Sequence, residues 1–225
     1  MKKCITIAAL LAAGTAFVNA ADLTSTFADK QTNSIALNVA GIDDVTGTVA
    51  LGDNLTFQTS GAAGEDSSFF SPNTNVGTGG TWTATFTYDF GAASLAVKSI
   101  ALDLGIFNGS GGWQSSSVTR YFDFAATLSS GSSSEQYSAE NIEIVGNGSN
   151  TQYALNLSGS ELDLSGSNVT LTLTVSRTEG NTDGCFIGLN SVTLKDASAV
   201  PEPSAFGLLA GLGALALVAS RRRRK

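Results

Sequence analysis

The side chains able to do chemistry are defined first by what is missing: no histidine occurs among the 225 residues. That excludes Ser-His and Cys-His nucleophilic catalysis, His-ligated zinc and histidine pH switching. Two cysteines are present, Cys4 and Cys185. Cys4 lies in an N-terminal stretch expected to be removed, so no intramolecular disulfide is left to the mature chain. Cys185, in Cys185-Phe186-Ile187, reads as a small buried hydrophobe. Carboxylates are the remaining catalytic chemistry, as in glycoside hydrolysis by two acids about 5–9 Å apart. The nearest pairs are Glu161-x-Asp163 and Glu140-x-x-Glu143. Strand alternation puts the first pair on one face and the second pair on opposite faces. Neither forms a glycosidase motif, so the expectation is a protein without catalytic residues, with glycoside hydrolysis the least favoured function.

Binding chemistry has better candidates. Aromatic side chains in loops can stack on sugar rings while nearby carboxylates or amides hold hydroxyls. Trp113 lies in Gly109-Ser110-Gly111-Gly112-Trp113-Gln114, where no strand pattern demands a core residue. Phe69 and Phe70 occupy a second long loop. These three are the candidate ligand-binding residues. Trp82, in phase with an apolar face, is expected in the core. Oxygen-bearing side chains gather at Asp43-Asp44, Glu65-Asp66 and Asn181-Thr182-Asp183. They make structural calcium the one cofactor to consider, with Asp43, Asp44, Glu65, Asp66 and Asp183 as weak ligands. Their spacing matches neither an EF-hand nor a Gly-Asp repeat, and solvated turn carboxylates are the default.

The elements that must position these residues are strands throughout. From Thr81 to Phe90, Trp82, Ala84, Phe86, Tyr88 and Phe90 alternate with threonines and Asp89. Val169, Leu171, Leu173 and Val175 alternate with Thr170, Thr172, Thr174 and Ser176. Period-two patterns of this kind bury one face and solvate the other. Phe122 to Leu128 and Tyr153 to Leu157 make two more such faces. Further strands are expected at 35–39, 45–50, 55–59, 95–104, 136–145 and 186–194. In the stretch 95–104 the apolar phase slips, and a bulge near Lys98–Ser99 would restore it. About ten strands separated by Gly, Ser, Asn and Asp predict an all-β antiparallel sandwich or jelly roll. Two long loops, 60–80 and 105–117, stand out.

The two termini differ from this domain. Lys2 and Lys3, the apolar run Ile5 to Val18, and Val18-Asn19-Ala20 form a signal peptide over residues 1–20, cleaved after Ala20. The C-terminal tail, 200–225, holds Pro201, Glu202 and Pro203, an uncharged apolar helix over 204–220, then Arg221, Arg222, Arg223, Arg224 and Lys225. The helix is short but able to cross a bilayer with snorkelling arginines, and the basic cluster would stop on the cytoplasmic side. Between them, residues 21–199 form one ectodomain. Its five basic residues (Lys30, Lys98, Arg120, Arg177, Lys195) face eighteen acids, a net charge of −13. Such a field argues against nucleic acid as a partner.

Pro-Glu-Pro, an apolar helix and an arginine cluster at the extreme C-terminus resemble the PEP-CTERM sorting signal. The resemblance implies recognition of Pro201, Glu202 and Pro203 by an exosortase, a membrane-embedded cysteine transpeptidase. It also implies passage through the export translocon and transient or lasting anchorage in the inner membrane. Such proteins are often linked to exopolysaccharide or biofilm matrix at the cell surface. Separately, Cys185-Phe186-Ile187-Gly188-Leu189-Asn190-Ser191-Val192-Thr193-Leu194 resembles the closing strand of lectin-like jelly-roll domains. The sequence therefore leads to an exported, surface- or exopolysaccharide-associated structural protein, with a carbohydrate-binding module as the alternative.

Overall fold

Alternation of threonine with bulky apolar residues dictates the fold, because each β-branched threonine suits an exposed pleat and each partner seeks the interior. The computed structural model describes residues 21–27, 34–53, 55–57, 70–72, 80–108, 119–145, 152–180 and 186–197. The expected signal peptide and the tail with its helix lie outside the described residues. Among the described residues no helix is long and apolar enough to cross a membrane. Residues 21–197 form a unit by themselves.

The described strands are β1 (Leu23–Phe27), β2 (Ser34–Ala40), β3 (Thr46–Leu51), β4 (Leu55–Phe57), β5 (Phe70–Pro72) and β6 (Thr81–Asp89). They continue with β7 (Ser94–Phe107), β8 (Thr119–Ser130), β9 (Ser133–Val145), β10 (Gln152–Ser165), β11 (Val169–Gly180) and β12 (Phe186–Asp196). Hydrogen bonding follows the order β1-β2-β3-β6-β11-β8-β9-β10-β7-β12, and β12 returns to β1. The sheet thus closes on itself, which removes the open edges that invite aggregation. β5 adds to β12 at Leu189↔Phe70, and β4 pairs with β5. The all-β antiparallel expectation holds, as a closed barrel-like sandwich.

Inward residues from every wall fill one core. β6 supplies Trp82, Ala84, Phe86 and Tyr88, and β11 supplies Val169, Leu171, Leu173 and Val175. β7 supplies Val97, Ile100, Leu102 and Leu104, and β12 supplies Ile187, Leu189, Val192 and Leu194. The expected bulge on β7 is present: Lys195 pairs with Ser99 and Asp196 with Val97, so Lys98 is the extra residue. The β9–β10 seam is narrow, with one register pair at Ser158↔Ser138. Across it the buried Tyr137 hydroxyl of β9 donates to the Val97 carbonyl of β7 at 3.1 Å.

Two elements depart from expectation. β1 and β5 exceed the ten expected strands, and β5 falls inside the expected 60–80 loop. Both are short, and they pair with strands far away in sequence rather than carrying a long alternating signal of their own. Glu140 and Glu143 are also not on opposite faces. Asp123 of β8 faces two residues of β9 where Phe122 pairs with Ile142 and Phe124 with Ala139. The bulge, with Asn141 at φ 53°, resets the phase, so Ala139 and Ile142 pack on the core and both glutamates are exposed. Asp123 Oδ1 accepts the Asn141 N–H at 2.7 Å and fixes this geometry.

Candidate functional site

The two ends of the sandwich are built differently. At one end, tight turns join β6 to β7, β8 to β9 and β10 to β11. Gly91, Gly131 and Gly166 take positive φ there, at 55°, 59° and 72°. The β2–β3 turn lies at this end too, because Thr46 pairs with Asp89. At the other end, β7 stops at Phe107 and β8 begins at Thr119, while β11 stops at Gly180 and β12 begins at Phe186. β5 is antiparallel to β12, with Phe70 paired to Leu189, so β5 runs toward this end while its Phe70 and the paired Phe57 of β4 face away from it.

This polarity sorts the residues singled out by sequence. Trp113, Phe69, Glu65, Asp66 and Asp183 lie outside the described residues. Phe70 opens β5, and its backbone pairs with Leu189. Asp43 and Asp44 are exposed in the β2–β3 turn, at the opposite end, with Asp44 at φ 64°. Glu161 and Asp163 are exposed on one face of β10, with Leu162 buried between them, as alternation requires. Trp82 is in the core. The sorting-tail residues Pro201, Glu202, Pro203, Arg221, Arg222, Arg223, Arg224 and Lys225 lie outside the described residues.

Sequence reasoning missed two features. Arg120 and Arg177 are fully buried at the long-loop end, in phase with Phe122 and Val175. Their signal was positional: each continues an apolar inward row by one step. The second is a broad, uncharged outer face. Rows of register partners cross it: Thr87, Thr170 and Ser129, then Thr85, Thr172 and Thr127, then Thr83, Thr174 and Ala125. Eight of these nine positions carry a hydroxyl and none a charge. Thr48 of β3 extends the first row on one side, and Ser134 of β9 on the other. Thr81 Oγ1 and Ser176 Oγ, 3.2 Å apart, continue the array toward the long-loop end.

At the tight-turn end this face dips into a depression of about 340 Å³. Thr46, Thr48, Thr87, Asp89, Ser167 and Asn168 are among its lining residues. Asn168 sits at φ 64° in the β10–β11 turn, and Asp89 Oδ1 accepts the Gly91 N–H at 2.9 Å. Beneath the depression, Ser25 Oγ donates to the Tyr88 hydroxyl at 3.0 Å. Burial drives the Tyr88 phenol well above its ordinary value, with Ser25 partly opposing, so it stays neutral. The arrangement offers hydroxyl and amide donors and acceptors with a single carboxylate, Asp89, at its rim. It holds no nucleophile with an adjacent base, and among the described residues no group of three or more potential metal-ligating side chains gathers.

No curated protein matches the chain. Among solved structures, the fold is distantly similar to TmCBM61 in complex with β-1,4-galactotriose. That pair shares 8% identity over 67% of this chain and 88% of the other, with a TM-score of 0.35. It is similarly distant from CtCBM11, known from its solution structure and from dynamics and binding studies. There the identity is 12% over 80% of this chain and 98% of the other, with a TM-score of 0.36. Beyond the domain, residues 199–224 match the model of the PEP-CTERM protein-sorting motif. The chain therefore carries a PEP-CTERM sorting signal, the mark of an exported protein that is anchored at its C-terminus and processed by an exosortase.

Proposed function

We propose that this protein is a structural component of the cell surface or its exopolysaccharide matrix, delivered there by its sorting tail. The observation that carries the reading is the junction of two parts. A β-domain whose ten-strand ring closes on itself ends at Asp196, and a sorting motif begins at residue 199. A closed ring of strands suits a crowded, unchaperoned exterior, where long exposed edge strands would pair indiscriminately. The ectodomain charge of −13 keeps copies apart in solution. Neither catalysis nor a cofactor is part of the reading.

A second reading, carbohydrate binding by the same domain, is favoured by the uncharged hydroxyl face. The two are compatible, since a matrix protein needs some means of engaging polysaccharide.

Co-fractionation tests the main reading. Cells would be separated into cytoplasm, inner membrane and shed exopolysaccharide, with and without the host's exosortase. The protein should move with the exopolysaccharide fraction only when the enzyme is present. Equal recovery in the inner membrane of both strains, with none in the exopolysaccharide, would contradict the proposal.

A further inference from the structure

We infer that the outer face of β3, β6, β11 and β8 is a binding site for an uncharged polysaccharide chain. The chain would lie across the threonine rows and be seated at the Asp89–Asn168 depression. The inference rests on the carbohydrate-binding reading above and moves the site from the loop aromatics to the sheet.

Threonine on an exposed pleat is ordinary, because it is β-branched and tolerates water. Its distribution here calls for more. The ectodomain has eighteen acids against five bases. Yet the nine central positions of its broadest described wall carry none of them. Carboxylates stand only at the margins, with Asp89 at the tight-turn end and Asp123 toward the other. A face built only for solubility would share in the charge.

Neighbouring strands lie about 4.8 Å apart, and residues two apart on a strand about 6.7 Å. The rows therefore form a fixed lattice of hydroxyls, each able to donate one hydrogen bond and accept two. χ1 of a β-branched side chain is stiff, so little rotamer freedom is lost when a ligand is held.

That chemistry selects the partner. A neutral glycan presents hydroxyls that both donate and accept, and it loses no ionic hydration on docking against an uncharged wall. An anionic glycan would meet the −13 field with no cation among this face's described residues to receive it. The depression, about 340 Å³, falls within the range of small-ligand clefts. Its Asp89 carboxylate and Asn168 amide supply the directional contacts that would fix the orientation of one sugar unit.

The test uses the mature protein recovered from its native host, run in affinity gels. The gels contain hydroxyethyl cellulose or galactomannan as neutral probes and alginate as an anionic one. The key variant, Thr85→Val/Thr172→Val/Thr174→Val, keeps the β-branched shape and removes three central hydroxyls. Circular dichroism and melting temperature check that the fold is kept. A Trp113→Ala variant reports on the aromatic singled out by sequence, and Asn168→Ala on the depression.

The expected result is retardation by at least one neutral probe and none by alginate. Apparent affinity should weaken tenfold or more in the triple valine variant and at least threefold in Asn168→Ala, with Trp113→Ala unchanged. If the triple valine and Asn168→Ala variants bind like wild type while Trp113→Ala does not, the sheet site is overturned and carbohydrate binding survives at the loops. If alginate alone retards the protein, the neutral-partner inference is overturned. Wild-type protein ignored by all probes would overturn this site and the carbohydrate-binding reading together, leaving the structural role to its own test.

Discussion

Tyr137 offers the sharpest test of how the closed sheet is held. It is fully buried on β9, beside a seam where β9 and β10 share one register pair. Its hydroxyl donates to the Val97 carbonyl at 3.1 Å, tying β9 to β7 across that seam. Tyr137→Phe keeps the ring and removes the donor. Losing the hydrogen bond should cost about 1 kcal/mol, rising toward about 3 kcal/mol if the buried carbonyl finds no other partner. For a domain of this size each kcal/mol lowers Tm by about 2–4 °C, so a drop of about 2–12 °C is expected.

The same residue gives a pH signature. Burial, then the Glu135 and Glu161 carboxylates, push the Tyr137 phenol from 10.0 up to about 12. Between those values the unfolded chain releases a proton that the folded chain keeps. Stability therefore falls as pH rises through this window and is fully present below it. Phenylalanine has no proton to lose, so the wild-type advantage should be constant below pH 10 and shrink toward pH 12. Tyr88, raised by burial as well, titrates equally in both proteins and cancels. Thermal melts by circular dichroism at neutral pH and across the alkaline window would measure both effects. A Tm unchanged within about 1 °C at neutral pH, or an advantage that grows with alkalinity, would refute the reasoning.

Other substitutions probe separate joints. A Cβ at Gly159 would sit 2.6 Å from the Tyr137 ring and 2.7 Å from the Gln136 carbonyl oxygen. Gly159→Ala should therefore destabilise by about 2 kcal/mol or more in urea unfolding, through overpacking. Gly41, at φ 111°, would place a Cβ 1.9 Å from the Asp22 carbonyl oxygen, whereas Gly91, at φ 55°, meets nothing within 4 Å. Gly41→Ala should cost several times more than Gly91→Ala, which pays only the left-handed penalty of about 1 kcal/mol. The Lys195–Asp22 ion pair is 2.7 Å long and partly exposed. Asp22→Asn should cost less than about 1 kcal/mol, and the difference should narrow in 1 M salt.

Legibility in the sequence followed the reach of each signal. The threonine-alternating strands were plain because one strand's own residues carry the pattern: Trp82 to Tyr88 and Val169 to Val175 point inward as expected. The β7 bulge was readable because the apolar phase visibly slips at Lys98. β1 and β5 were not, because their pairing partners, β12 for both and β2 for β1, are supplied by the fold. The Asn141 bulge escaped because the residues it displaces, Glu140 to Glu143, are polar or half-buried on either phase. Arg120 and Arg177 escaped for the opposite reason, being charged residues at inward positions. The outer hydroxyl face was present as separate threonine runs. Only the register of β6, β11 and β8 makes it one surface. The sorting motif was legible because it is linear, and residues 199–224 match it.

The central claim is that this domain is exported and then processed at its tail. Intact mass of the mature protein from its native host, with and without the exosortase, tests it most directly. The account predicts a chain beginning at Ala21 and, only where the enzyme is present, ending near Pro203. A mass running to Lys225 in both strains would mean a permanent anchor and would contradict the account.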